Sequence, residues 1–266
     1  MTRPLVVSYD NNPTENTRFF IKTLENNVWD YKFVGEGETW KGFTSKVIGY
    51  NAFLSSIDPE TIVVLSDARD VVCVRSPKAF IEAYSSFQTD FIVSMELFCG
   101  GKTDVTDEFV DAQCVPLVNY WKHYNILELP FRKFVNSGLI AGKAGSILKW
   151  LQFTIENKYD DDQFALCQYI NKYPERISVD SDAILLHSST FGVNAGMQKI
   201  FLQAKDSPTL AELYGRGAFF IHIPGIHNKG QRTVYNDVCA MLERGVGDTK
   251  LRSGYPYGEP PWKGYG

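Results

Sequence analysis

The sequence predicts an α/β fold in which a mostly parallel, twisted sheet carries helices on both faces. Short β-rich runs alternate along the chain with longer segments whose apolar residues repeat at helical spacing. One run, Thr61–Ser66, is nearly all apolar, as expected for a central parallel strand that is covered on both sides. Alternating strands and helices are the pattern that builds a parallel sheet with helices packed on each face.

In the N-terminal part of the chain, the pattern predicts four strands separated by three helices. The predicted strands are Pro4–Tyr9, Trp29–Val34, Thr61–Ser66 and Phe91–Met95. The first helix is predicted to begin with Asn12 as its cap, Pro13 in its first turn and Glu15 completing a capping box. The second helix is predicted over Phe43–Leu54, and the third follows Ser76-Pro77.

In the C-terminal part, the periodicity weakens from Leu97 to Arg132, which predicts a long irregular segment that shapes a binding site. The later predicted strands are Leu139–Ala141, Ile177–Val179, Ile184–Leu186 and Phe219–Ile223, and the helices are Ile147–Phe153, Asp162–Tyr173 and Thr233–Arg244. We expect one domain over residues 1–245, followed by a tail or linker rich in Gly, Pro and Tyr over residues 246–266.

The composition is that of an ordinary globular protein and excludes several classes. The formal net charge is −4 and no block rich in Lys or Arg occurs, which argues against a nucleic-acid polymer as partner. Five scattered cysteines form no C-x-x-C pair, which gives no zinc-site signal and favours a reducing compartment. No apolar run approaches the ~20 residues of a membrane span. The apolar run among the first residues is too short for a signal peptide. We therefore expect a cytoplasmic chain.

Polar residues that follow predicted strands are the first candidates for a binding site. In parallel sheets, ligands bind beyond the carboxyl ends of the strands. The positions singled out by this rule directly follow Tyr9, Leu65, Met95, Ala141 and Ile221.

The most informative segment carries Asp67 and Asp70, which leave the end of a buried strand three residues apart. A tight turn can point both carboxylates at one spot, and a divalent cation relieves their repulsion. The alternative is a turn in which the aspartates cap backbone groups from Val71 onward. From this segment alone, both interpretations stay open.

Three further segments combine polar groups in ways that suit a ligand. Asn136-Ser137-Gly138 offers donors, acceptors and close backbone approach, or else an ordinary Asx turn. Asp160-Asp161-Asp162 lies at a helix start, where capping explains one carboxylate and a surplus acid could bind sugar hydroxyls or act as a base. The strand ending at His222 leads into a Pro/Gly turn with His227, Asn228 and Lys229, where the alternative is a structural histidine.

These motifs together resemble the glycosyltransferase domain of procollagen lysyl hydroxylases and its relatives. The resemblance rests on Ser66–Asp70, Ser94-Met95-Glu96, Val135–Gly138 and Asp161-Asp162-Gln163, in the family's order. The ending His222-x-x-Gly225-x-x-x-Lys229 is similar to the closing motif of GT-A enzymes of the glycogenin type. The resemblance implies a GT-A (Rossmann-like) fold. No segment resembles the family's hydroxylase region, so that activity is not expected.

The resemblance also implies roles for individual residues. Asp67 and Asp70 match the family's metal-binding D-x-x-D, and His222 matches its late metal-ligand histidine, although the segment His227–Gly230 can be aligned there instead. Asp161 and Asp162 match catalytic or sugar-holding positions. The residues expected to bind the donor are Asn136, Ser137, Gly138, Lys229, Asn228, Gly225, Arg69 and Lys46. Arg69 departs from the pattern, because the family often carries there an aromatic residue that stacks on the base.

The implied function is transfer of a hexose or related sugar (galactose, glucose, rhamnose or xylose type) from a UDP-sugar to a hydroxyl of a glycan or glycoprotein acceptor. The expected cofactor is Mn²⁺, with Mg²⁺ as the alternative. A non-catalytic module that binds nucleotide sugars or glycans is the main competing interpretation. A haloacid-dehalogenase-like phosphatase fits less well, because its aspartates stand two residues apart after an early strand, and an interaction scaffold leaves the strand-end polar residues without a purpose.

Overall fold

The computed structural model of the chain describes residues 3–96, 117–126, 133–188, 218–225 and 229–243. This part of the chain contains nine strands: β1 (Leu5–Tyr9), β2 (Asp30–Val34), β3 (Ile62–Asp67), β4 (Val71–Cys73), β5 (Phe91–Glu96), β6 (Phe134–Lys143), β7 (Ser178–Asp180), β8 (Leu186–Ser188) and β9 (Phe220–His222). The α-helices described are α1 (Glu15–Asn26), α2 (Phe43–Leu54), α3 (Phe80–Tyr84), α4 (Val118–His123), α5 (Ala144–Glu156), α6 (Asp162–Lys172) and α7 (Lys229–Glu243).

The described strands form a single mixed sheet in the order β2-β1-β3-β6-β5-β8-β9-β4, with β7 also paired to β5. Parallel pairs are in the majority: β1 with β2 and β3, β5 with β7 and β8, and β8 with β9. Strand β6 runs antiparallel to both β3 and β5, and β4 runs antiparallel to β9. The α/β class with a mostly parallel sheet is confirmed.

The sheet curls, and the curl brings β4 back toward β3. Asp67 ends β3 and Val71 begins β4, so their Cα atoms lie at most about 14 Å apart along the chain. In the strand order, however, β6, β5, β8 and β9 stand between β3 and β4, which on a flat sheet is a distance of about 24 Å. The short connection therefore requires a strongly curved sheet, in which the end of β3 and the start of β4 lie close together.

Hydrophobic cores cover both faces of the sheet, because successive strand residues point to opposite sides. On one face, α2, α5 and α6 pack over alternating strand residues such as Leu65 and Ile140, and the cluster includes the fully buried Trp150. On the other face, α1 and α3 pack over the intervening residues, such as Val64 and Leu139. A third cluster packs α7, through Tyr235 and Val238, against β4 and β9. Helices on both faces are thus confirmed.

The structure corrects three local predictions. Helix α1 is capped by Thr14, not Asn12, and Thr17 rather than Glu15 completes the capping box. The threonine hydroxyls sit at the correct spacing, and Pro13 precedes the helix. Within the segment predicted to be irregular, α4 forms a helix whose Tyr120 and Trp121 are buried.

The third correction concerns β6, which begins at Phe134 and not at Leu139. Because β6 is antiparallel, its first residues rather than those after Ala141 lie at the carboxyl edge of β3 and β5. Sequence alternation carries no sign of strand direction, and the prediction that the position after Ala141 lies at the binding edge is wrong. The remaining predicted strands and helices are present, with ends shifted by a few residues.

Two further points concern membrane-spanning helices and the predicted segments that lie outside the described residues. No helix in the described ranges is both long enough and apolar enough to cross a bilayer. Residues 97–116 and 127–132 of the predicted irregular segment, and residues 244–266, lie outside the described part of the chain. The boundary predicted between residues 245 and 246 therefore stays a prediction.

Candidate metal and donor site

Three side chains predicted to bind a metal converge at the carboxyl edge of the sheet. Asp67 is the last residue of β3, Asp70 directly precedes β4, and His222 is the last residue of β9. The antiparallel pairing of β4 with β9 sets Val71 opposite His222, and Ile223 N–H donates to the carbonyl of Asp70 at 2.8 Å. One ligand atom from each of the three side chains lies within 4.8 Å of the other two.

His222 is buried and directs its Nε2 toward the two carboxylates. Nε2 lies 3.4 Å from Asp70 Oδ1 and 3.6 Å from Asp67 Oδ2. Within the described residues this nitrogen has no hydrogen-bond partner. Burial lowers the pKa of His222, but the negative charges of Asp70 and Asp67 raise it by more, so the net shift of this pKa is upward. A buried imidazole nitrogen facing two carboxylates is a donor set that fits a divalent transition-type ion.

The other ring nitrogen of His222 is held by an amide. His222 Nδ1 lies 2.9 Å from Asn136 Oδ1, and Ser188 Oγ lies 3.3 Å from the same nitrogen. Asn136 Oδ1 also accepts the backbone N–H of Gly138, while its Nδ2 donates to the buried Glu96. Outer groups of this kind orient metal-binding histidines. The amide of Asn136 is thus turned toward His222, and its expected contact with a donor sugar stays a prediction.

A glycine makes room for these side chains. A Cβ added at Gly138 would overlap the His222 ring at Cε1 and would lie 2.8 Å from Asp67 Oδ2. The approach is close because the β5–β6 register shifts between Val93 and Ser94, which bulges β6 around Gly138. Ser137 lies on the same bulge, and its N–H donates to Gln163 Oε1 at 3.3 Å.

A buried lysine joins the metal side of the site to α6. Lys46 Nζ, from α2, lies 2.7 Å from Asp67 Oδ1 and 2.8 Å from Asp162 Oδ2. Burial lowers the pKa of Lys46, but the charges of Asp162 and Asp67 outweigh it and hold the pKa well above its usual value. Burial likewise raises the pKa of Asp67, whereas Lys46 and His222 lower it, with a net downward shift. The two carboxylates are therefore linked through one ammonium group.

The neighbouring Asp161 has a different environment from Asp162. Asp161 caps α6, accepting the N–H of Phe164 at 2.7 Å. The expectation that capping accounts for one carboxylate of this acidic run is met by Asp161. Asp162, one residue further on, is 3 % exposed and faces Lys46.

Arg69, between the two aspartates, is engaged with the end of β1. Its Nη2 lies 2.7 Å from Asp10 Oδ1 and donates to the carbonyl of Asn12 at 3.1 Å. Asp10 is buried, and its Oδ2 accepts the hydroxyl of Thr17 at 2.6 Å.

The remaining predicted site residues follow β9. Gly225 has φ 79°, in the left-handed region that favours glycine. Asn228, with His227, lies outside the described residues. Lys229 is the first residue of α7, but its side chain is not among those described. The predicted donor-binding roles of Gly225, Asn228 and Lys229 therefore stay predictions.

Sequence reasoning missed two contributors to the site. Asp10 directly follows β1, at a position singled out by the strand-end rule, but its partner Arg69 is 59 residues away and gave no local signal. Ser188 contacts His222 across 34 residues through the β8–β9 pairing, which no sequence pattern revealed.

Comparisons with known proteins point to one family. The profile of the family described as the PLOD GT domain matches residues 2–222. The procollagen-lysine,2-oxoglutarate 5-dioxygenase of Drosophila melanogaster is 20% identical over 258 residues, and the match covers 89% of this chain. It covers 33% of that protein, so the chain spans about a third of the length of this curated relative.

Similar solved structures are more distant. A glycosyltransferase involved in the glycosylation of the major capsid of PBCV-1 matches with a TM-score of 0.46 and 12% identity, covering 87% of this chain and 100% of that one. The apo structure of the bifunctional glycosyltransferase WbbM matches with a TM-score of 0.45 and 14% identity, covering 84% of this chain and 46% of that one.

Proposed function

Because the chain belongs to the family of PLOD GT domains, a glycosyltransferase family, we propose that it is a metal-dependent enzyme with a UDP-sugar as donor. The transferred group would be a hexose or related sugar, and the acceptor a hydroxyl of a glycan or protein. Mn²⁺ is the cofactor we propose, with Mg²⁺ as the alternative. We do not propose the dioxygenase activity of the longer relative for this chain.

The observation that carries the proposal is the convergence of Asp67, Asp70 and His222. They come from three separate strand ends, yet their ligand atoms lie within 4.8 Å of one another. The buried Nε2 of His222 is without a hydrogen-bond partner among the described residues, as expected of a nitrogen that serves an ion. These side chains would hold the metal. When bound there, the ion would neutralise charge on a leaving diphosphate.

The chain's other polar groups support donor binding. Lys46 Nζ lies 2.7 Å from Asp67 Oδ1 and 2.8 Å from Asp162 Oδ2, so one ammonium group holds the Asp162 carboxylate next to a proposed metal ligand. We propose that Asp162, with Asp161 beside it, orients the donor sugar or takes the proton of the acceptor hydroxyl. Further donor contacts are proposed for Asn136, Ser137, Gly138, Gly225, Asn228 and Lys229.

The experiment is a screen of nucleotide sugars for release of nucleoside diphosphate by the full chain, with Mn²⁺ and with a chelator. We expect release from a UDP-sugar that stops on chelation. In Asp67→Asn protein, the rate should fall by about 10²-fold or more, because a preorganised electrostatic contact is lost.

The matched control is Lys143→Met. Lys143 is paired with Ile62 at the opposite end of β3 and β6, and its ion pairs with Glu60 and Asp90 lie there. This variant should keep the wild-type rate. UDP-sugar binding by calorimetry without release over hours would contradict catalysis and would favour a non-catalytic binding module. Equal rates with and without chelator would contradict the metal.

A further inference from the structure

We propose that Arg69 is a positioning residue. Its ion pair with Asp10 clamps the turn between β3 and β4 against the end of β1, and so fixes where Asp67 and Asp70 stand relative to His222. The inference rests on the proposed function in one respect, namely that this turn holds a divalent cation. The proposed function assigns no positioning role to Arg69 or Asp10.

The contacts of Arg69 run away from the metal ligands and into the protein. Its guanidinium bonds Asp10 Oδ1 at 2.7 Å and the carbonyl of Asn12 at 3.1 Å. The Asp10 side chain is 1% exposed, whereas that of Arg69 is 45% exposed. The arginine therefore reaches from the surface turn to a buried anchor, and the pair is a tether between two segments 59 residues apart in sequence.

Asp10 is suited to be an anchor because its own position is fixed by several elements. Its Oδ1 accepts the N–H of Asn12 at 3.1 Å as well as Arg69, and its Oδ2 accepts the hydroxyl of Thr17, in α1, at 2.6 Å. It directly follows β1, in which Tyr9 is paired with Asp67. Both oxygens are thus used within the protein, so Asp10 acts on the site through Arg69 rather than as a ligand.

The turn needs such a restraint because its two aspartates are held by different parts of the sheet. Asp67 belongs to β3 and Asp70 is fixed by the β4–β9 pairing, through the bond from Ile223 N–H to its carbonyl. Between them stand only Ala68 and Arg69. Restraining Arg69 therefore restrains the distance and orientation of both carboxylates, a geometric condition to which metal affinity is sensitive.

The test measures Mn²⁺ affinity of the full chain by electron paramagnetic resonance, without any donor. The variants are Arg69→Met, Asp10→Asn, the double variant and Arg69→Lys. The matched control is Lys143→Met, at the end of β6 that pairs with the start of β3, far from the turn. Melting temperature is recorded for each. Arg69→Met alone leaves the buried Asp10 carboxylate without a positive partner, so the melting temperature of this variant should fall. The double variant removes that charge as well and should recover the melting temperature.

Mn²⁺ affinity separates positioning from mere stability. We expect Arg69→Met and the double variant to bind Mn²⁺ about 10-fold or more weakly, with Arg69→Lys intermediate and Lys143→Met unchanged. Turnover at saturating Mn²⁺ should recover in the double variant, because the ligands themselves remain. The stable double variant keeps the test decisive if Arg69→Met fails to fold.

Two results would overturn the inference. If the double variant binds Mn²⁺ within about two-fold of wild type, the pair serves stability alone. If Arg69 variants lose UDP affinity while Mn²⁺ affinity is unchanged, Arg69 contacts the base instead. A wild-type chain that binds no Mn²⁺ would be a different failure, because it would contradict the proposed function itself.

Discussion

Asn136 Oδ1 lies 2.9 Å from His222 Nδ1, and the same oxygen accepts the backbone N–H of Gly138 at 2.9 Å. An amide oxygen only accepts hydrogen bonds, so Nδ1 of His222 carries the proton in this arrangement. The orientation of the amide is consistent with its Nδ2 donating to Glu96 at 3.2 Å. In the neutral imidazole, Nε2 then presents its lone pair toward Asp67 and Asp70.

This relationship predicts the effect of Asn136→Leu, which keeps the size of the side chain but removes the amide. Mn²⁺ affinity should fall by about 10- to 100-fold, because the ring loses the group that fixes its tautomer. The measurement is a Mn²⁺ titration followed by electron paramagnetic resonance. The control is Asn119→Leu on α4, which removes an exposed side-chain amide whose Nδ2 donates to the carbonyl of Asn171. A higher donor KM with unchanged Mn²⁺ affinity would instead support the donor-sugar role predicted for Asn136.

Gly138→Ala should impair the site through sterics alone. A Cβ at this position overlaps the ring of His222 and approaches Asp67 Oδ2, so two candidate ligands must move. We expect Mn²⁺ affinity to fall by about 10-fold or more, as when a ligand's orientation is lost.

The control for this prediction is Gly37→Ala, where a Cβ meets nothing within 4 Å although φ is 78°. That change should cost about 1 kcal/mol of stability through backbone strain, with Mn²⁺ affinity unchanged. Wild-type Mn²⁺ affinity in Gly138→Ala protein would show that His222 and Asp67 do not share an ion.

Lys46→Met should destabilise the fold. The substitution leaves Asp162, 3% exposed, without the ammonium that lies 2.8 Å away. Removing one partner of a buried ion pair typically costs about 3–5 kcal/mol, so urea unfolding should show a loss of that order. Combining it with Asp162→Asn should restore part of the loss. A loss below about 1 kcal/mol, the range of an exposed ion pair, would contradict the burial of this pair.

The pH dependence of that loss follows from the pKa of Lys46. Burial lowers this pKa, but Asp162 and Asp67 raise it to well above 10.5. A pKa raised in the folded state means that the stabilisation is fully present below the unfolded-state value and is lost as pH rises through the folded-state value. The difference between wild type and Lys46→Met in free energy of unfolding should therefore not fall as pH rises from about pH 6 to pH 9. A difference that falls with rising pH within this range would contradict the assignment.

How far the sequence predicted the site depends on how local each signal was. Asp67 and Asp70 were identified because both follow one apolar strand, and this position required no knowledge of the fold. His222 was also a candidate from its place at a strand end, but its role as a ligand beside Asp67 and Asp70 needed the resemblance to a family, since nothing near it in sequence shows that the curled sheet places β9 beside β4. Lys46 was predicted to contact the donor, whereas its bonds to Asp67 and Asp162 become evident only from the packing of α2 against the sheet edge.

The fold was predicted in class but not in strand direction. Hydrophobic alternation shows that β6 is a strand, but it carries no sign of the antiparallel pairing that places Asn136 and Gly138 at the site. The cap of α1 was assigned to Asn12 because several residues nearby can cap, and only the backbone geometry selects Thr14. Local chemistry thus limits the alternatives, and long-range pairing decides among them.

The central claim is that Asp67, Asp70 and His222 hold one divalent ion. Diffraction from crystals grown with Mn²⁺, recorded at the manganese absorption edge, tests it most directly. We predict a single strong anomalous peak about 2.1 Å from one oxygen of each aspartate and from His222 Nε2. An anomalous map with no peak among these three side chains, or with its main peak elsewhere on the chain, would contradict the claim.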